Sequence, residues 1–168
     1  MAGERLARLE FLYRQSEGAI GRREWALASL APTAILVVTT LIWLAIKPDA
    51  PRDLSRQGLF DLGVFAAFVY LPIFTFAVIL AAVMQYFVSA KRFADRGEPP
   101  ALAGLAPLSL LVAGAAHWYQ PRSEGYAPAW VPILFDVVAA AAVLWSVWDL
   151  GFGASRSESA NRKAPNAL

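Results

Sequence analysis

Residues 62 to 90 read LGVFAAFVYLPIFTFAVILAAVMQYFVSA, twenty-nine positions without a charged side chain. As a helix that stretch extends about 43 Å against roughly 30 Å of bilayer hydrocarbon, so it overshoots a single crossing by about 13 Å. Pro72 has no backbone N–H to give the helical ladder. The span is therefore expected either to kink at Pro72 or to begin there, with Leu62 to Leu71 as an interfacial approach.

Three more stretches have the same character. Trp25 to Ile46 lies between Glu24 and Lys47, Ala101 to Pro121 carries no formal charge, and Tyr126 to Trp148 carries only Asp136. The first is too long for the apolar core of a cleaved signal peptide and reads as a retained helix. The short connection from Arg122 to Gly125 makes a hairpin of the last two. Composition agrees: the chain is 58% hydrophobic and 17% charged, where soluble domains run near 45–50% and about 25%. The expected fold class is all-α: a polytopic membrane protein with four transmembrane helices (25–46, 62–90, 101–121 and 126–148) forming a four-helix bundle domain over 25–150. Residues 1–24 form an N-terminal interfacial segment, and 151–168, small, polar and aperiodic, read as a disordered tail.

Basic residues orient the bundle. Arg5, Arg8, Arg14, Arg22, Arg23, Lys91, Arg92, Arg96, Arg156, Arg162 and Lys163 fall on one side, and Lys47, Arg52, Arg56 and Arg122 on the other. By the positive-inside rule both termini and the segment from Lys91 to Pro100 are expected in the cytoplasm. Aromatic belts fit this frame, with Trp25, Tyr86, Trp145 and Trp148 at one interface and Trp43, Trp118, Tyr119, Tyr126 and Trp130 at the other. Before the first span, Leu6, Leu9, Leu12 and Tyr13 share roughly 120° of a helical wheel, as an interfacial helix requires. Arg5 falls inside that arc and Phe11 outside it.

With no cysteine and one histidine, the sequence excludes disulfides and thiolate chemistry and leaves little for a histidine-based site. No catalytic residue, metal ligand set or cofactor is assigned, and nucleic-acid binding is not suggested. Asp136 lies about ten positions into the fourth span, near mid-bilayer, where an ionisable group costs roughly 2.5–3.5 kcal/mol on insertion scales. Two readings stand: a proton or cation site, or a carboxyl that hydrogen-bonds Thr75 or Ser109 at similar depth inside the bundle. His117 reads either as an interfacial histidine or as a relay to Asp136, reachable across the antiparallel hairpin. Gln85 reads as interhelical glue.

The run Lys91-Arg92-Phe93-Ala94-Asp95-Arg96-Gly97-Glu98-Pro99-Pro100 is read as a cytoplasmic loop. It either binds a lipid phosphate, pairs with the Gly21-Arg22-Arg23-Glu24 segment, or serves as a topogenic charge cluster. Proximity of Arg22 or Arg23 to Asp95 or Glu98 is the specific expectation.

Gly18 to Trp25, GAIGRREW, resembles the Gly-Arg-Ile-x-Arg-x-Glu-Phe/Trp opening of domain-of-unknown-function family 805, small bacterial inner-membrane proteins. Lys91 to Gly97, KRFADRG, is similar to that family's Arg-Arg-Leu-His-Asp-x-Gly-x-Ser-Gly-Trp motif, with Ala94 at its histidine and no Ser-Gly-Trp between Glu98 and Leu102. The resemblance spans roughly residues 11 to 150. It implies the bacterial inner membrane and a four-helix bundle, and no particular activity.

Three functions are weighed. The first is a non-enzymatic accessory, interaction or lipid-responsive membrane subunit, with membrane lipids, anionic headgroups among them, a protein partner or further copies of itself as partners. The second is an oligomeric transporter or ion-conducting protein using Asp136. The third, an enzyme acting on lipid headgroups, ranks last for want of a nucleophile or metal set.

Overall fold

The computed structural model describes residues 2–46 and 62–154. Within them the chain is all helical: α1 (Ala2–Arg14), α2 (Arg22–Ile46), α3 (Leu62–Arg96), α4 (Leu105–Tyr119) and α5 (Trp130–Phe152), with 3₁₀ turns at Pro100–Gly104 and Gln120–Arg122. Four helical segments are long and apolar enough to cross a membrane: Arg22–Ile46, Leu62–Arg96, Pro100–Arg122 and Trp130–Phe152. The protein is an all-α, multi-pass membrane protein. The expectations for Lys47, Arg52, Arg56, Arg156, Arg162, Lys163 and the polar tail lie outside the described residues.

The boundaries differ most from the sequence reading at two places, each for a local reason. α3 does not stop at Ala90; it continues as helix to Arg96 and runs unbroken through Pro72. At about 52 Å it exceeds the bilayer with its headgroups, so its last turns emerge from the hydrocarbon. Its end is a Schellman cap: Gly97, at φ +79°, donates to Ala94 at 3.0 Å, and Glu98 donates to Phe93 at 2.9 Å. The fourth span starts at Trp130 and not at Tyr126. Ser123 holds the intervening turn by accepting from the N–H of Ala127 at 3.0 Å, with Glu124 and Gly125 both at positive φ.

α2 packs mainly on α3 and α4 on α5, and between the two hairpins the fullest contact is that of the 3₁₀ turn Pro100–Gly104 with α3. What joins them is one end of the bundle, where α1, the start of α2, the end of α3 and the end of α5 converge. Leu12, Ile20, Trp25, Phe93 and Leu150 are buried there, and Phe93 stacks on Trp145 at 6.0 Å. We call it the basic end. Elsewhere the helices turn large apolar side chains outward, among them Phe68, Phe76, Leu108, Ile133 and Leu144, each more than half exposed. In water so broad an apolar surface would aggregate, and in lipid it is at home.

Candidate functional site

The segment read as a cytoplasmic loop begins inside the basic end, where Lys91, Arg92 and Phe93 are buried, and only its later residues Gly97, Pro99 and Pro100 are exposed. Lys91 and Arg92 are both 0% exposed. Burying a charge is expensive without partners, and each cation finds them chiefly among helix-end carbonyls, which have no partner within their own helix and carry the negative end of the helix dipole.

Lys91 Nζ donates to the carbonyls of Leu12 (3.3 Å), Gln15 and Phe87 (3.3 Å). The ammonium also faces the Phe11 ring at 5.0 Å, which explains why Phe11 packs inward despite lying outside the apolar arc. Lys91 thereby fastens the end of α1 to α3. Arg92 does the same for α5: Nε donates to the carbonyl of Leu150 at 3.1 Å, Nη2 to that of Gly153 at 2.6 Å, and Nη1 pairs with Asp95. Arg96 completes the clasp, donating to the Asp149 carbonyl at 2.8 Å and forming ion pairs with Asp149 and with Glu98 (2.8 Å). A β-carbon on Gly153 would collide with the Arg96 guanidinium and the Asp149 carbonyl.

The two motif segments do meet, through other atoms than expected. Ile20 is buried and its N–H reaches the carbonyl of Lys91 at 3.4 Å, while Gly21 accepts the first helical bond of α2 from Trp25 at 2.9 Å. Glu24 pairs with Arg8 of α1. Arg22 and Arg23 are exposed, and the carboxylates of Asp95 and Glu98 pair with Arg92 and Arg96 instead. Asp95 and Glu98 thus take their ion-pair partners from arginines of their own segment, Arg92 and Arg96.

Tyr13 adds a second tie between α1 and α2, its hydroxyl donating to the Ala28 carbonyl at 2.9 Å. Burial pushes the Tyr13 phenol above its ordinary value. Gln85 behaves as interhelical glue, donating to Ser29 of α2 at 3.2 Å and to Ser89 at 3.1 Å. Thr75 and Ser109 instead turn back on their own helices, to the carbonyls of Leu71 and Ala106.

Asp136 does not face the bundle interior. Its side chain is 50% exposed and its Oδ2 lies 2.8 Å from Nε2 of His117. Because α5 begins at Trp130, Asp136 sits about 9 Å along the helix, roughly halfway between the far interface and mid-bilayer. Sequence reasoning missed Asp149, although a signal was present: an acid in the last turn of a helix opposes the dipole and implies a facing cation. Among the described residues no three His, Asp or Glu side chains gather as a metal site. Comparison with family models, with curated proteins and with solved structures gives no match to this chain.

Proposed function

We propose that the chain is a non-enzymatic, lipid-responsive subunit of the bacterial inner membrane, with the basic end and both termini cytoplasmic. The observation that carries this is α1. Its last turn is locked to the bundle by Lys91, Leu12 and Tyr13, while Leu6 (68%) and Leu9 (52%) stand exposed beside Arg5, with Arg14, Arg22 and Arg23 exposed nearby. Leucines with a cation in the same arc suit the headgroup boundary, where the leucines enter the acyl region and the guanidinium reaches phosphate. Anionic lipid is the partner this surface fits. Arg92 and Arg96 are already engaged by carbonyls and carboxylates, Asp95 among them, which argues against these residues as the acid/base and phosphate clamp of a headgroup enzyme. The two motif segments support a place in family 805 as part of the same proposal.

Hydrogen exchange of residues 2–14 in the full chain, embedded in bilayer discs with and without phosphatidylglycerol, tests it. Exchange should slow in the anionic discs and lose that response in Arg5→Ser. Equal exchange in both lipids overturns the reading. Reporter fusions after Gln57 and after Lys163 test the orientation separately; a cytoplasmic signal at the first reverses it.

A second reading is favoured by the His117–Asp136 pair, an imidazole against a carboxyl within the far half of the α4–α5 hairpin. Such a pair suits a proton path shared between copies in an oligomeric transporter or ion-conducting protein. Liposome flux lost in Asp136→Asn would raise it above the first.

A further inference from the structure

Between the two hairpins lies a cavity of about 310 Å³, walled by α2, α3, α4 and α5 and by the 3₁₀ turn before α4. That volume is at the lower end of the roughly 300–1,000 Å³ usual for small-molecule sites. Phe93 and Leu150 of the basic-end core close its floor, and its rim passes Leu36 and Leu110, deep within the spans. The long helices of the two hairpins touch little, and the cavity's lining at Leu36 and Leu110 lies within the spans.

Just above the floor the lining turns polar. Ser89 Oγ accepts from Trp25 Nε1 at 3.4 Å and from Gln85 Nε2 at 3.1 Å, and Gln85 Nε2 also donates to Ser29 at 3.2 Å. That uses one end of the Gln85 amide. Among the described residues the other end makes no hydrogen bond, nor does the hydroxyl of Ser146 on the opposite wall. Among the described residues no Asp, Glu, Lys or Arg lines the cavity.

We infer that this cavity binds a neutral amphiphile: an aliphatic chain carrying one uncharged hydroxyl or carbonyl head, taken sideways from the bilayer. The head would meet the free end of Gln85 and the Ser146 hydroxyl, and the chain would lie along the apolar walls toward the rim. An ionised head is selected against, because the site offers it hydrogen bonds and no countercharge. The chain's own remaining segments do not suit the space. Residues 155–168 contain Arg156, Glu158, Asn161, Arg162 and Lys163, and 47–61 contain Lys47, Asp49, Arg52, Asp53 and Arg56. None of the lining residues belongs to α1, so the site stands or falls separately from the anionic-lipid response of that helix.

The test is photolabelling of the full chain in bilayer discs with a long-chain alcohol carrying a diazirine in its tail, with the matching carboxylic acid in parallel. The alcohol should label α2 to α5 peptides around the cavity, and unlabelled alcohol should compete. The acid should label several-fold less. Ser146→Phe fills the space and should lower labelling roughly tenfold, equivalent to about 1.4 kcal/mol of binding. Gln85→Leu keeps the volume, removes the head's partner and should lower it several-fold; thermal unfolding of each variant reports whether the bundle is intact. Labelling that is not competed, is equal for the acid, or is unchanged in both variants overturns the proposal. So does crosslinking that places a second copy's helix in the cavity.

Discussion

Arg92 donates from Nε to the carbonyl of Leu150, a residue 58 positions later, at 3.1 Å. Its second arm reaches the Gly153 carbonyl at 2.6 Å, so one planar fork gathers the unsatisfied end of α5 while its first nitrogen pairs with Asp95. Arg92→Met would leave those carbonyls and a largely buried carboxylate unpaired, a loss of about 3 kcal/mol by analogy with other broken buried pairs. Lysine keeps the charge but is a single point on a flexible stem, and Arg92→Lys should recover less than half of the loss. Denaturant unfolding in mixed micelles measures both. Full recovery by lysine would mean that charge and not the fork holds α5.

Gly153 and Gly151 make a paired prediction. A β-carbon at Gly153 meets the Arg96 guanidinium and the Asp149 carbonyl, and the carbonyl belongs to backbone that cannot move cheaply. Gly153→Ala should therefore destabilise by about 1–3 kcal/mol, the usual cost of overpacking. At Gly151 the nearest neighbour of an added β-carbon is Cζ3 of Trp25 at 3.8 Å, an ordinary contact. Gly151→Ala should leave stability unchanged or raise it by up to about 1 kcal/mol through helix propensity. Melting temperatures of the two variants in one detergent should move apart.

Those two glycines also mark where sequence reading stopped. Apolar runs located all four spans because lipid demands side chains of one kind over about 20 positions. Composition ended the second span at Ala90, yet the helix continues to Arg96, because Lys91, Arg92 and Arg96 find acceptors on α1 and α5 and need no water. The acceptors at Leu12, Gln15, Leu150 and Gly153 are main-chain oxygens, and every residue has one, so no side-chain pattern announces them. Pro72 was expected to kink α3 or to mark its start, and the helix begins ten residues earlier, at Leu62. Proline is tolerated within transmembrane helices when neighbouring groups satisfy the freed carbonyl. The His117–Asp136 contact was legible as a possibility of the hairpin; its outward direction depends on helix rotation, which an almost uniformly apolar helix does not encode.

The Tyr13 phenol gives the attachment of α1 a pH dependence. Its hydrogen bond to the Ala28 carbonyl requires the proton, and burial raises its folded-state pKa. A raised value means that the folded state holds the proton more tightly. The contribution is complete below the ordinary tyrosine value near 10 and is lost as pH rises through the folded-state value. Proteolysis within residues 2–21 should accelerate above about pH 10 in the parent. Tyr13→Phe should be cut faster at neutral pH, consistent with losing a bond worth about 0.5–1.5 kcal/mol, and should show a weaker alkaline increase.

His117 and Asp136 should be coupled measurably, because each is half-exposed on a hairpin whose surroundings are lipid and each is the other's partner at 2.8 Å. Removing one leaves a polar group in a medium that cannot hydrogen-bond it. Removing both leaves an apolar surface. His117→Phe and Asp136→Leu alone should each destabilise the α4–α5 hairpin, and the double variant should be more stable than the sum of the two losses predicts. Interhelical hydrogen bonds in membranes average about 0.6 kcal/mol in such cycles and reach about 1.7 kcal/mol, and the coupling here should fall within that range. Unfolding of the four proteins in the same bilayer discs provides the cycle. A coupling of zero would mean that the pair is broken in lipid, with Asp136 turned to the far interface about 9 Å away along α5. In that case the proton-path reading loses the contact that favours it.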